Sequence, residues 1–89
     1  MAWKTYCREE DLKSIFELSK NQYVLVFKHS TRCPVSSYAK HELEQNMNLL
    51  PENLEKVYID VVNCRSLSSA IAEAVSIQHE SPQILLIYN

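Results

Sequence analysis

An α/β domain built on one central sheet is predicted by three observations. Short apolar strands alternate with segments of helical periodicity in the order β-α-β-α-β-α-β. The two strongest apolar runs, Tyr23–Phe27 and Ile84–Tyr88, are continuous and rich in β-branched and aromatic residues, as in strands buried on both faces. The chain has 89 residues, room for a single domain covering residues 1–89.

The elements follow in order. Trp3–Tyr6 is short and aromatic and reads as an edge strand. From Glu9 to Ser19, residues Leu12, Ile15, Phe16 and Ser19 fall at helical spacing, and Glu9, Glu10 and Asp11 place acids where they complement the helix dipole. Asn21-Gln22 breaks that pattern before the Tyr23–Phe27 strand. A second helix is expected to begin near Cys33-Pro34, because proline suits a first helical turn whose N–H has no partner. Its apolar face would be Val35, Ala39, Leu43, Met47 and Leu50, and Pro51 would end it. In Leu54–Val61 the residues Val57, Ile59 and Val61 alternate with Lys56, Tyr58 and Asp60, a strand pattern. Leu67, Ala70, Ile71, Ala74 and Val75 mark a third helix with Ser66 as its N-cap. Ser81-Pro82 punctuates the chain before a last strand, Gln83–Tyr88.

Composition excludes several functions. Hydrophobic residues make up 46% and charged residues 22%, the balance of a folded globular chain. A net charge of −2 argues against a nucleic-acid or anionic-membrane binder. Glycine is absent, which rules out phosphate-cradling loops of the P-loop and GxGxxG kinds. The N-terminus carries acids where a signal peptide needs an apolar core, and no apolar run is long enough to span a bilayer, so the protein is expected in the cytoplasm. Three cysteines with no CxxC pair, in a reducing compartment, are expected to remain free thiols. The chain stops on an apolar strand with no turn or helix after it. That ending is read as C-terminal truncation, with Ile84, Leu85, Leu86 and Ile87 exposed or in contact with another chain.

The segment Phe27-Lys28-His29-Ser30-Thr31-Arg32-Cys33-Pro34-Val35-Ser36 carries chemistry. It puts Cys33 directly after a buried strand and at the start of a helix, where unpaired N–H groups and the helix dipole stabilise a thiolate. Arg32 is adjacent, and Lys28 and His29 are nearby cations that would tune the thiolate. Ser36 stands where the second cysteine of a CxxC motif would be. One helical turn from Cys33, its hydroxyl could donate to the thiolate or simply be solvated.

C-P-x-S after a strand, followed by S-P before a late strand, resembles the thioredoxin fold. The strings K-H-S-T-R-C-P-V-S, D-V-V-N-C-R-S-L-S-S-A-I-A-E and H-E-S-P-Q are closer to the monothiol bacilliredoxins, bacillithiol-system proteins of the YtxJ type, over essentially the whole chain. Arg32 between Thr31 and Cys33, and Val35 in place of isoleucine, depart from that family's T-C-P-I-S. The resemblance implies a thioredoxin-like mixed four-stranded sheet flanked by helices, in the order Trp3–Tyr6, Leu54–Val61, Tyr23–Lys28, Gln83–Tyr88. The inner pair would be parallel and the last strand antiparallel. It also implies a final hairpin strand and helix that this chain lacks.

The function implied is thiol–disulfide exchange. Cys33 would attack the bacillithiol sulfur of a bacillithiol-capped client protein made during oxidative stress, helped by Ser36. Free bacillithiol or a reductase would then release the adduct. Thr31, Arg32 and Pro34 beside the cysteine, with Ser81 and Pro82 as a cis-proline pair facing it, would bind substrate. No tightly bound cofactor is implied, only bacillithiol as thiol co-substrate. Client proteins and a regenerating reductase would be the partners.

The other residues are less informative. Cys7 and Cys64 match no motif and read as incidental, though either could resolve a Cys33 adduct within disulfide reach. His29, His41 and His79 lack metal-ligand spacing with the cysteines, so no metal is expected. His79, just before Ser81-Pro82, would lie near the substrate groove. The strand before Cys33 offers no buried carboxylate, which suits an exchanger with no resolving cysteine to deprotonate. Two alternatives remain. One is a glutathione-dependent monothiol glutaredoxin-like protein, disfavoured by the lack of glycine after the proline loop. The other is a non-catalytic thioredoxin-like adaptor with Cys33 as a redox sensor.

Overall fold

The computed structural model describes residues 3–88. Four strands, β1 (Lys4–Thr5), β2 (Val24–His29), β3 (Glu55–Asp60) and β4 (Gln83–Ile87), form one sheet in the order β1-β3-β2-β4. The β1–β3 and β2–β3 pairs are parallel, and β4 runs antiparallel to β2. This is the order and polarity expected from the sequence. β2 sits inside the sheet because every one of its residues is buried, so no edge position would suit it.

Three helices cover the sheet: α1 (Leu12–Leu18), α2 (Pro34–Gln45) and α3 (Arg65–Val75). The alternation of β2 divides the core. Val24 and Val26 face α1 and α3 and join Ile15, Val57, Ile59, Leu67 and Ile71, all wholly buried. Each such side chain contributes about 1.5–3 kcal/mol when removed from water. Leu25 and Phe27 face the other way, with Ala39 and Leu43 of α2 and with Trp3, Leu54 and Tyr58. On that second face β4 is left uncovered. Ile84 and Leu86 are 52% and 62% exposed while Leu85 and Ile87 are buried, so the expected exposure holds for the two residues on this side.

Several boundaries differ from the sequence expectation. Glu9–Asp11 is a 3-10 turn before α1, tied by Asp11, whose carboxylate accepts from the N–H groups of Cys7 (3.2 Å) and Arg8 (3.0 Å). The second helix ends at Gln45, five residues before Leu50. Asn46 donates its side-chain amide to the Glu42 carbonyl (2.7 Å), and Met47–Leu49 continues as a 3-10 turn. Val35, expected on the buried face, is 65% exposed because it lies in the first turn, beyond the sheet end. The third helix is capped by Cys64 rather than Ser66: the Ser68 N–H donates to the Cys64 carbonyl (3.1 Å).

The largest correction concerns the cysteines. Cys7 and Cys64, expected to be free, are joined in a disulfide with Cα atoms 4.8 Å apart. β1 lies parallel beside β3, so the chain leaving β1 and the chain leaving β3 emerge at the same end of the sheet and meet there. Only Cys33 is a free thiol.

Candidate thiol-exchange site

β2 delivers the chain to the site. After His29, residues 30–32 turn back and Cys33 becomes the N-cap of α2 in an extended conformation (φ −112°, ψ 116°). Pro34 is the first helical residue and brings no N–H, so the free amides of the first turn are those of the next residues. The turn is held closed by hydrogen bonds. The Cys33 N–H donates to the Ser30 carbonyl (3.2 Å), and the Ser37 N–H donates to the Cys33 carbonyl (3.0 Å). The Arg32 N–H donates to Ser30 Oγ (3.3 Å). On the β3 side, the Val61 N–H donates to the His29 carbonyl (2.9 Å).

Ser36 is placed differently from expectation. Its hydroxyl is wholly buried, accepts from the Ser30 N–H (3.0 Å) and bonds His29 Nδ1 (2.8 Å). The hydroxyl is engaged beneath the loop, so Ser36 positions the turn that carries Cys33 and is not the donor to the thiolate. His29 belongs to the same unit. It is buried on the α2 side of the sheet, stacked on Phe27, and burial assisted by the Lys40 charge holds its pKa below 6.5. Burial there disfavours the charged form expected to tune the thiolate, and the ring serves as a hydrogen-bonding strut to Ser36.

Lys28 points to the opposite face and is also wholly buried. Its Nζ donates to the Ser68 carbonyl (3.0 Å) and lies 3.3 Å from His79 Nδ1. Ser68 Oγ is 3.0 Å from the same nitrogen. Lys28 Nζ and Ser68 Oγ thus bracket His79 Nδ1 beside the cleft. Burial lowers the Lys28 pKa from 10.5. Burial, then the charges of Lys28 and Arg65, lower that of His79 from 6.5.

Cys33 is half-buried and opens on a cleft of about 400 Å³ lined by Ser30, Arg32, Val61, Val62, Arg65, Ser68, Ser69, His79 and Ser81. No carboxylate residue is among these, while two arginines and a histidine are. The Ser81-Pro82 peptide is cis, as expected, and Ser81 Oγ is buried without a partner among the described residues. Thus Arg32 and Ser81 join Cys33 in one cleft, and Pro82 fixes the bond beside it. Pro34 is exposed at the helix start. Thr31, expected in the substrate-binding set, is exposed and lines a different cleft with His29, Ser37, Lys40, His41, Glu44 and Tyr58. Arg65, Ser68 and Ser69 were not singled out from the sequence. Their signal was topological: α3 follows β3, β3 is parallel to β2, and the helix therefore starts at the end of the sheet where Cys33 sits.

Among the described residues no group of three His, Cys, Asp or Glu side chains is arranged to hold a metal ion, and no helix is long and apolar enough to cross a membrane.

Comparison with known proteins agrees with this geometry. A family model described as monothiol bacilliredoxin BrxC matches residues 5–89. A solved structure described as a candidate oxidoreductase with a thioredoxin fold is 27% identical, with a TM-score of 0.76 over 94% of this chain and 71% of its own. The thioredoxin of Fasciola hepatica has a TM-score of 0.71 at 16% identity, over 96% of this chain and 76% of its own. A cysteine-to-serine variant of Entamoeba histolytica thioredoxin has a TM-score of 0.57 at 19% identity, over 98% and 78%. The last two likenesses show the fold alone.

Proposed function

The chain belongs to the monothiol bacilliredoxin BrxC family, a family of thiol redox proteins, and on that premise we propose that it removes bacillithiol from capped client proteins through Cys33. The Cys33 thiolate attacks the bacillithiol sulfur of the mixed disulfide. The client sulfur leaves as a thiolate and takes a proton, and Cys33 keeps the bacillithiol. A second bacillithiol then attacks that bacillithiol sulfur, giving oxidised bacillithiol and free Cys33; a reductase could serve in its place.

The observation that carries the reading is the sole free thiol, at a helix start, opening on a cleft with Arg32, Arg65 and His79 and no acid in its lining. Within a chain of net charge −2, that cleft suits an anionic small-molecule thiol. In this reading Arg32 and Arg65 hold the adduct. Ser81 presents polar groups to it beside Pro82, and exposed Pro34 and Val35 meet the client.

Intact mass spectrometry after incubation with oxidised bacillithiol, and separately with oxidised glutathione, tests it. A bacillithiol adduct at Cys33 that also forms from a capped client is expected. Adduct formation with glutathione only would replace the bacillithiol reading by the glutathione one, and no adduct with either would leave a non-catalytic adaptor.

A further inference from the structure

The Cys7–Cys64 disulfide takes no part in the chemistry assigned to Cys33, and its two sulfurs sit in unlike surroundings. Cys7 is exposed, in the segment between β1 and the 3-10 turn. Cys64 is only 7% exposed and caps α3, a helix of 11 residues. Both border an open cleft of about 520 Å³ with Tyr6, Arg8, Asp11, Tyr58 and Asp60.

This asymmetry assigns a direction to exchange. Cys7 is the exposed partner of the pair and Cys64 the buried one, so a thiolate arriving from solvent meets Cys7 first. When the bond breaks, the leaving charge falls on the sulfur at the α3 N-terminus, where unpaired N–H groups stabilise it. Cys7 would be the poorer leaving group. Its own N–H and that of Arg8 are already taken by the Asp11 carboxylate, which places negative charge next to it. Attack at the exposed sulfur and departure from the helix cap therefore reinforce one another.

We propose that Cys7 and Cys64 form a second dithiol–disulfide couple, separate from Cys33, that exchanges with low-molecular-weight thiols through Cys7. In reduction, a thiolate RS⁻ attacks Cys7 Sγ, the Cys7–Cys64 bond breaks, and Cys64 departs as a thiolate that takes a proton. A second thiolate attacks the R sulfur of the Cys7 mixed disulfide, releasing RSSR and the Cys7 thiolate, which is then protonated. The sum is one protein disulfide and two RSH converted to one protein dithiol and one RSSR. Oxidation by RSSR is the reverse. Opening the bond frees the segment after β1 from the start of α3. The next residue, Arg65, lines the Cys33 cleft, so the couple adjoins the first site.

The test uses the full chain carrying Cys33→Ser, so that only this pair reports. The folded protein is equilibrated in mixtures of reduced and oxidised glutathione, quenched in acid, and alkylated after denaturation. Two labels are expected to appear and vanish together as the mixture changes. With Cys64→Ser added, glutathione is expected on Cys7. With Cys7→Ser added instead, the covered Cys64 is expected to take it up at least roughly tenfold more slowly. A pair that stays oxidised in the folded protein and opens only in denaturant would overturn the proposal. So would two labels already present in protein purified in air, or equal rates at the two sulfurs.

Discussion

Cys33 and Cys64 hold equivalent places in two successive strand-loop-helix units. Each follows a strand of the parallel β2–β3 pair, and each caps the next helix with a similar φ, −112° and −119°. Yet Cys33 is a half-buried free thiol, and Cys64 is buried and bonded to Cys7. The difference comes from the neighbouring strand. β3 has β1 on its other side, and parallel pairing brings the chain after β1 to the end where Cys64 lies. β2 has β4 on its other side, running antiparallel, and this brings the Ser81-Pro82 entry to the end where Cys33 lies. A helix start equips either sulfur to leave or attack as a thiolate. The adjacent strand decides which one receives a protein partner and which faces an open cleft.

Substituting each cysteine breaks this comparison most directly. Cys33→Ser is expected to reduce bacillithiol release from a capped client to the uncatalysed background, because no other free thiol borders that cleft. Cys7→Ser is expected to keep most of the rate. Mass spectrometry of the client over time checks both, and a Cys33→Ser variant that still releases bacillithiol would remove Cys33 from the chemistry.

Stability should reverse the ranking. The disulfide closes a loop with a sequence separation of 57 and joins the segment after β1, a strand of only two residues, to the start of α3. Cys7→Ser is expected to lower the unfolding free energy by about 2–4 kcal/mol. Cys33→Ser, at a half-buried position outside the core, should change it far less. Urea unfolding midpoints check the pair, and reducing the wild-type disulfide should reproduce the Cys7→Ser shift.

The same contrast explains what was legible in the sequence. The β2 run and the Cys33-Pro34 junction are local patterns: a stretch buried on both faces, then a residue type suited to a helix start. Strand order followed from the resemblance, and the cis Ser81-Pro82 bond with it. The Cys7–Cys64 pairing depends on β1, a strand too short for any pattern to fix its neighbour, so the two cysteines read as incidental. The partners of Lys28 and Ser36 were not legible for a related reason. Alternation puts Lys28 on the α3 face and His29 on the α2 face, but only the packed helices reveal that their polar ends are used by Ser68, His79 and Ser36.

Ser36 offers a finer test of how the Cys33 turn is held. Removing its hydroxyl leaves the half-buried Ser30 N–H and the buried His29 Nδ1 without that partner. Ser36→Ala is therefore expected to cost about 1–3 kcal/mol of stability. Exchange should slow through displacement of the turn. A variant with unchanged stability would mean that the His29–Ser36–Ser30 unit does not hold the loop.

The smallest expected effect is one of pH, and it separates the two arms. His29 is held below 6.5 by burial, with Lys40 contributing, and His79, exposed as a residue, by partial desolvation of its ring and then by the Lys28 and Arg65 charges. The unfolded chain therefore takes up these protons first as pH falls. Above about 6.5 both states are neutral at these sites, and stability does not depend on them. Below it, stability declines until the pH passes the folded-state values. Glu44 is lowered from 4.5 by hydrogen bonds from Trp3 and Lys40, so its loss of stability begins only below 4.5 and does not overlap the start of the histidine window. His29, 4% exposed, should carry more of the slope than solvent-exposed His79. Both histidines belong to the Cys33 arm, one under its turn and one in its cleft, and neither borders the Cys7–Cys64 cleft. Unfolding midpoints from about pH 8 to about pH 5 should thus fall in the wild type, less steeply in His29→Gln, and least in the His29→Gln, His79→Gln double variant. In Cys7→Ser the whole curve should shift down with its slope intact. A slope that vanished with the disulfide would place the titrating groups on the wrong arm.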